Sequence, residues 1–281
     1  MTGAGQIAWE NVCQSKQAGG IGFKKVVDWN KAAMFKYIWA IATKEDNLWV
    51  KWIHSVYIKG KDWWSYEIPQ TGSWYWRKIV ALKGTLLNLV DPITFTQTTY
   101  KVADGYKWMC PTVNRVNWSK EVWNRLNTPK HSFVFWLAVQ NRLKTRDRLL
   151  RFQIATDPSC LLCLGSAETC EHLFFLCPFF IECLNQVKSW LGWKTPAANL
   201  TDLVRILEKR SISAFLRQVY TAACAALLYL IWRARNNVLW LQTKEDPKSI
   251  VQRIKNICKT RIQSVWPRKV SIGDTTWFNE L

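Results

Sequence analysis

The spacing of hydrophobic residues predicts helices along most of the chain. From Trp29 to Ile41, apolar side chains recur at intervals of three and four residues, which is the period of one helix face. The same spacing predicts a helix over 47–58 and another that begins near Trp74. Residues 59–79 contain glycine, proline and serine, so they predict a loop whose aromatic side chains pack on a core.

One segment departs from this helical pattern. Residues 91–110 are rich in threonine, phenylalanine, tyrosine and valine and also contain proline and glycine, a composition typical of strands joined by a turn. We expect a short β-hairpin at most in this segment, with a domain boundary at its end. Helical spacing returns at about Ser119 and continues, with breaks, through the remaining residues.

The most apolar stretch predicts a buried helix rather than a membrane span. TAACAALLYLIW, at 221–232, has twelve residues, whereas a helix needs about twenty to cross a bilayer. The first residues, MTGAGQIAWENVC, show no basic start followed by an apolar run, which disfavours a signal peptide. We therefore expect a nuclear or cytoplasmic location, not secretion, and no membrane partner.

Composition adds a core and a polyanionic partner to this picture. The chain has 281 residues, of which 49% are hydrophobic, so it can bury a substantial core. Its formal net charge is +19. An excess of this size favours RNA or DNA as a partner over an anionic membrane surface.

Four residues in one short stretch have the spacing of a metal site. Cys160, Cys163, His172 and Cys177 form the pattern C-x2-C-x8-H-x4-C. A C-x2-C turn directs two thiolates at one tetrahedral ion, and three thiolates with one imidazole suit Zn²⁺. Four protein ligands leave no open coordination position, so the pattern predicts a structural Zn²⁺ and not a catalytic one.

Cys170 leaves an alternative open. It lies two residues before His172 and could replace it, which would give a four-cysteine site. We favour His172, because on a short helix it and Cys177 can both face the C-x2-C turn. Glu171 lies close enough in sequence to be an outer hydrogen-bond partner.

Catalytic motifs are not found, so we expect a chain that is not an enzyme. No Tyr/Phe-x-Asp-Asp polymerase signature occurs, and VADG at 102–105 holds a single aspartate. No group of carboxylates is spaced for two-metal phosphoryl transfer. The three histidines, His54, His131 and His172, are widely separated in sequence, which disfavours an acid–base site.

Two basic runs are candidates for phosphate binding. Arginine and lysine bind phosphate oxygens through forked hydrogen bonds and point charge, without reading base identity. The first run has one acidic residue, Asp147, and the second has none. The candidate nucleic-acid-binding residues are Lys130, Arg142, Lys144, Arg146, Arg148, Arg151, Arg253, Lys255, Lys259 and Arg261.

The motifs resemble one known family. PKHSFVFWLAVQNRLKTRDRLLRFQI, CLLC and AETCEHLFFLCPF, followed by IWRARNNVLW, are similar to the reverse-transcriptase zinc-binding domain of plant LINE-type (non-LTR) retrotransposons. The resemblance implies Cys160, Cys163, His172 and Cys177 as zinc ligands, and Cys170 matches no ligand position. It also implies a region downstream of a polymerase that helps to bind template RNA or target DNA.

These observations together predict a mainly α fold. We expect an irregular helical assembly with a small zinc-stabilised Cys-Cys-His-Cys (CCHC) module. Three regions are predicted: a post-polymerase linker over 1–110, the zinc-binding domain over 111–195 and a basic helical region over 196–281. The chain is expected to be a fragment or remnant without polymerase parts. The alternative is a protein-interaction scaffold that docks on a reverse transcriptase body without binding nucleic acid.

Overall fold

The protein is helical, as predicted. The computed structural model describes residues 7–67, 72–110, 114–208 and 212–281, and these contain no β-strand. Two π-helical turns occur, at His54–Ile58 and His172–Leu176. The α-helices of the described residues are α1 (Trp9–Cys13), α2 (Val26–Ala42), α3 (Leu48–Ile53), α4 (Trp74–Leu87), α5 (Pro92–Gln97), α6 (Val102–Met109), α7 (Ser119–Val122), α8 (Pro129–Val139), α9 (Arg146–Arg151), α10 (Pro178–Leu191), α11 (Leu200–Glu208), α12 (Ala214–Leu241), α13 (Pro247–Ser264) and α14 (Ile272–Glu280).

The hairpin expected over 91–110 does not form, because this segment holds α5 and α6. Asp91 caps α5 by accepting a hydrogen bond from the backbone N–H of Thr94 at 2.9 Å, and Pro92 occupies the first helical position. Phe95 is then buried in the core. Capping and burial outweigh the strand propensity of the threonines. The prediction of a hairpin was based on composition alone.

The described residues belong to two compact units. The first, here the aromatic unit, is built mainly from Gly20–Asn114, and the second, here the α12 unit, mainly from Arg115–Leu281. The predicted boundary at 110/111 precedes three residues, 111–113, that lie outside the described residues. The division into three regions therefore stays a prediction.

The aromatic unit has a core of its own, and the two tryptophans between α3 and α4, Trp63 and Trp64, pack in it or against it. Trp63 and Trp76 are buried with Ile79, and the rings of the two tryptophans lie 5.8 Å apart. Lys83 is buried beside them, where its ammonium donates to the carbonyl oxygens of Trp63 at 2.8 Å and Trp64 at 3.0 Å. Burial lowers the pKa of Lys83, and these carbonyls replace part of its lost hydration.

The α12 unit is organised around one long helix. Helix α12 packs against α7, α8, α10, α11 and α13. Of the described helices it alone is long and apolar enough to cross a membrane, but 72% of its most apolar window is buried in the unit. The stretch at 221–232 is therefore the centre of a buried core helix, as predicted, although the helix has 28 residues and its burial, not its length, is what distinguishes it from a membrane span. This helix also carries Arg235, whose ion-pair partner lies in the metal-binding loop.

Candidate metal centre

The structure brings the four predicted ligands together. One donor atom each of Cys160, Cys163, His172 and Cys177 lies within 4.8 Å of all the others. The Sγ atoms of Cys160 and Cys177 are 3.9 Å apart, and Cys163 Sγ lies 3.3 Å from His172 Nε2. Zn–S bonds of about 2.3 Å and Zn–N bonds of about 2.0 Å in a tetrahedron require separations of about 3.8 and 3.5 Å. The donor set therefore fits one zinc ion.

A tight turn of backbone holds the first two ligands. The Cys160 N–H donates to the Ser166 carbonyl at 2.7 Å, and the Leu164 N–H donates to the Cys160 carbonyl at 2.8 Å. The pKa of the Cys160 thiol is lowered mainly by its hydrogen bond with Cys177 and further by the backbone N–H groups of Cys163 and Leu162 in this turn. Since these donors favour the thiolate, the turn prepares Cys160 to bind a cation.

Leu164 closes this turn in a conformation that suits glycine better. Its φ is +59°, in the left-handed region, and its side chain is exposed. We expect Leu164→Gly to raise the free energy of unfolding by up to about 1 kcal/mol, because the left-handed conformation costs an L-residue about that much. Denaturant unfolding would measure the change. Leu150→Gly, at an exposed position inside α9, is the matched control and should lower stability by about 1 kcal/mol; equal losses at both positions would contradict this view of the turn.

The second pair of ligands depends on a π-helical turn. His172 and Cys177 are five residues apart, which in an α-helix would place them about 140° apart around the axis. The wider turn at His172–Leu176 closes with a hydrogen bond from the Cys177 N–H to the His172 carbonyl at 2.7 Å. Such turns are often found at functional sites. Leu173, Phe174 and Phe175 are buried, so the residues between these two ligands anchor the turn in the core.

The thiols of Cys160 and Cys177 are both buried and lie within hydrogen-bond distance of each other. The hydrogen bond between Cys160 and Cys177 is the main cause that lowers the pKa of Cys160 and raises the pKa of Cys177. Cys177 also precedes Pro178 at the start of α10, where the N–H groups of Phe180 and Phe179 offset part of this rise in pKa. A divalent cation takes the place of the proton in such a hydrogen bond and stabilises both thiolates.

Cys170 lies outside this cluster. Its Sγ lies 3.8 Å from the Ala138 carbonyl, and burial raises the pKa of its thiol to about 12. Its sulfur is not one of the four donor atoms that lie within 4.8 Å of one another, so it is not placed to bind the same ion. The geometry therefore favours His172 over Cys170.

A buried ion pair beside the site was missed by sequence reasoning. Glu168 and Arg235 are both almost fully buried, and the Arg235 guanidinium donates to both Glu168 carboxylate oxygens at 2.7–3.1 Å. Glu168 also accepts from the backbone N–H of Arg146 at 2.9 Å. One carboxylate thus connects the metal-binding loop, α9 and α12. Glu171, the expected outer partner, is exposed.

The one feature of the sequence that could have indicated this ion pair is Arg235. It falls at a buried position of α12, three residues after the apolar stretch TAACAALLYLIW. A buried guanidinium needs an acidic partner, but the sequence could not say which of several carboxylates supplies it. Only the fold places Glu168 opposite it.

The ten candidate phosphate-binding residues divide by exposure. Lys130 lies in the first turn of α8, and Arg142 and Lys144 follow that helix. All three are exposed, as is Arg151. The other six are half-buried: Arg146, Arg148, Arg253, Lys255, Lys259 and Arg261. The last four of these lie on α13, apart in sequence from the first group.

Several of the half-buried cations have partners within the fold. The Arg146 guanidinium donates to Asp157 at 2.8 Å and to the Ser159 carbonyl at 3.1 Å, so it steadies the residue before Cys160. Arg148 donates to the Asn141 carbonyl, and Arg253 pairs with Glu245. These three arginines therefore have structural contacts within the protein. A phosphate group would have to compete with those contacts to bind the arginines.

The remaining histidines lie in packed positions. His54 Nε2 lies 3.0 Å from the Ile41 carbonyl, and the buried His131 ring lies 4.7 Å from the ring of Tyr229. Burial lowers the pKa of His131 to about 4, so it is neutral at physiological pH. Neither residue belongs to the cluster of four ligands.

Comparison with known proteins agrees with this geometry. Residues 100–183 match a protein family described as zinc-binding in reverse transcriptase, and this range contains all four ligands. The match covers less than a third of the chain. No curated protein and no solved structure gives a significant match. Residues 100–183 are therefore a zinc-binding region related to that of reverse transcriptases.

Proposed function

We propose that the chain is a non-catalytic, nucleic-acid-binding segment of a plant LINE-type retrotransposon reverse transcriptase, in which zinc has a structural role. The observation that carries the proposal is the zinc centre, with exposed cations on the segments beside it. Zinc, held by Cys160, Cys163, His172 and Cys177, would join the turn at 160–163 to the start of α10. Four buried or half-buried protein ligands complete a tetrahedron, which is the arrangement of structural zinc sites.

Exposed cations supply the affinity for nucleic acid in this proposal. Lys130, Arg142 and Lys144 are exposed and take part in no ion pair among the described residues, so their charge is available to phosphates. Arg151 is also exposed, 3.7 Å from Asp147, and an ion pair of that length on a surface is weak. The net charge of +19 adds long-range attraction.

Binding should depend strongly on salt. If four phosphates are neutralised, raising the salt concentration from about 50 to about 200 mM should weaken RNA or DNA binding by about fifty- to a hundred-and-fiftyfold, because condensed counterions are released on binding. Fluorescence anisotropy with a labelled oligonucleotide would measure the slope. Replacing Lys130, Arg142 and Lys144 by glutamate should abolish binding at the lower salt concentration.

A variant with the same change of charge serves as control. Lys36, Lys61 and Arg77 are exposed cations of the aromatic unit, and their replacement by glutamate removes the same six units of charge. It should weaken binding much less than the triple change near the zinc centre. Equal losses in the two variants would show that only net charge matters. Binding that ignores salt would contradict the proposal.

A second candidate function rests on the surface of the aromatic unit. Trp74 is 66% exposed, and Tyr37, Trp52 and Tyr75 are also exposed on α2, α3 and α4. Exposed aromatic residues in one unit are typical of protein interaction surfaces. The chain would then be a scaffold that docks on a reverse transcriptase body. Pull-down with a LINE polymerase segment separates the two functions, since tight association without nucleic-acid affinity would favour the scaffold.

The cysteine chemistry bears on location. All nine cysteines are free, and those that bind zinc must stay reduced. A reducing compartment meets this requirement, which supports the proposed nuclear or cytoplasmic location.

A further inference from the structure

A groove of about 670 Å³ lies between the segment after α8 and the second half of α12. Lys144, Ile154, Trp232 and Trp240 are among its lining residues. All of them belong to the α12 unit, and none is a zinc ligand. Its volume is within the range of about 300–1,000 Å³ that is usual for small-molecule sites, so it can hold a nucleotide-sized group.

The aromatic lining of the groove is unusual for a core helix. Trp232 and Trp240 lie two helical turns apart on α12, and Asn236, midway between them, lines the same groove. Trp240 is 77% exposed, although most of the helix before it is buried. The guanidinium of Arg235 lies 5.1 Å from the centre of the Trp232 ring. An indole in such a position offers a surface on which a planar ring can stack.

The charged lining of the groove has one sign. Lys144, Arg146 and Arg235 contribute to it, and no Asp or Glu among the described residues does. Arg146 and Arg235 are fixed by Asp157 and Glu168, whereas Lys144 is exposed and without an ion pair among the described residues. A groove with an ammonium free of ion pairs and one exposed indole, that of Trp240, matches a ligand that carries both phosphates and unpaired aromatic rings.

We infer that this groove binds a single-stranded stretch of RNA or DNA, with a base stacked on Trp240 and a phosphate on Lys144. The inference rests on the proposed function and adds a site and a strand state to it. Bases in a duplex are already stacked on their neighbours and cannot stack on an indole without being unpaired. The groove therefore selects single strands, whereas the exposed cations elsewhere serve either form.

Trp240→Ala tests the inference. In the zinc-loaded full chain it should weaken binding of a labelled pyrimidine oligonucleotide of about twelve nucleotides by about five- to a hundred-and-fiftyfold, the value of one stacked base. Trp240→Phe should retain most of the affinity, because phenylalanine also stacks. Binding of a duplex of the same length should not change. Fluorescence anisotropy at one salt concentration measures all of these affinities.

Trp74→Ala is the matched control, since Trp74 is 66% exposed and lies in the aromatic unit. It should leave single-strand affinity unchanged. If Trp240→Ala and Trp74→Ala bind single strands as the parent chain does, the groove is not the site, although nucleic-acid binding stands. If Trp240→Ala weakens duplex binding equally, the selection for single strands is wrong. If the parent chain binds no nucleic acid, the proposed function itself fails.

Discussion

Replacing Cys163 by serine is expected to remove zinc from the chain and to unfold the α12 unit. A serine hydroxyl does not ionise at neutral pH, so the site loses one of its three thiolates. Structural zinc contributes an apparent binding free energy of about 10–16 kcal/mol in small zinc domains, and most domains are stable by only about 5–15 kcal/mol. Cys163 is half-buried, so serine itself is tolerable there, and loss of the fold would report loss of the metal. Elemental analysis and circular dichroism measure the two effects.

Cys170→Ala is the control for this experiment. Cys170 lies seven residues after Cys163, but its Sγ contacts the Ala138 carbonyl instead of the ligand cluster. The variant should keep one zinc per chain and lose at most about 1 kcal/mol of stability, the usual value of one weak hydrogen bond. Zinc loss in Cys170→Ala together with retention in Cys163→Ser would reverse the ligand assignment.

Glu168→Gln is expected to destabilise the α12 unit by about 3–5 kcal/mol. The change leaves the Arg235 guanidinium buried without an opposite charge, and breaking a buried pair at one partner has a cost of this size. Glutamine can still accept the hydrogen bond from the Arg146 N–H, so the effect isolates the lost charge. Urea unfolding of the zinc-loaded chain gives the difference.

An exposed pair provides the comparison for Glu168→Gln. Arg205 and Asp202 form an ion pair at 2.6 Å on α11, and the arginine side chain is 72% exposed. Asp202→Asn should change the free energy of unfolding by less than about 1 kcal/mol, because water screens a surface pair. If the two variants unfold at the same urea concentration, Glu168 does not have the role that the structure gives it.

The ligand spacing could be predicted from the sequence because the metal chemistry is local. The C-x2-C spacing of Cys160 and Cys163 is typical of a turn at a metal site. The residues between His172 and Cys177 are apolar, which suits a turn that is buried beside such a site. The sequence favours His172 over Cys170, but the geometry behind that choice could not be predicted from spacing. It depends on a π-helical turn, and no sequence period indicates one.

The long-range contacts of the site could not be predicted. Glu168 and Arg235 are 67 residues apart, and nothing local indicates that they meet. For the same reason, the sequence predicted the same phosphate-binding role for Arg146 and Lys144. In the structure, Arg146 donates hydrogen bonds to Asp157 and Ser159 next to the metal-binding loop. The short hairpin considered for 91–110 does not form, because capping by Asp91 and burial of Phe95 favour helix in a segment whose intrinsic propensity is ambiguous.

Zinc-edge X-ray absorption on the purified, folded chain tests the central claim most directly. We predict one zinc per chain, bound by three sulfur atoms at about 2.3 Å and one nitrogen at about 2.0 Å, with no water in the coordination shell. A folded chain that contains no zinc, or a zinc ion with a bound water in place of one of these ligands, would contradict a structural site built from Cys160, Cys163, His172 and Cys177.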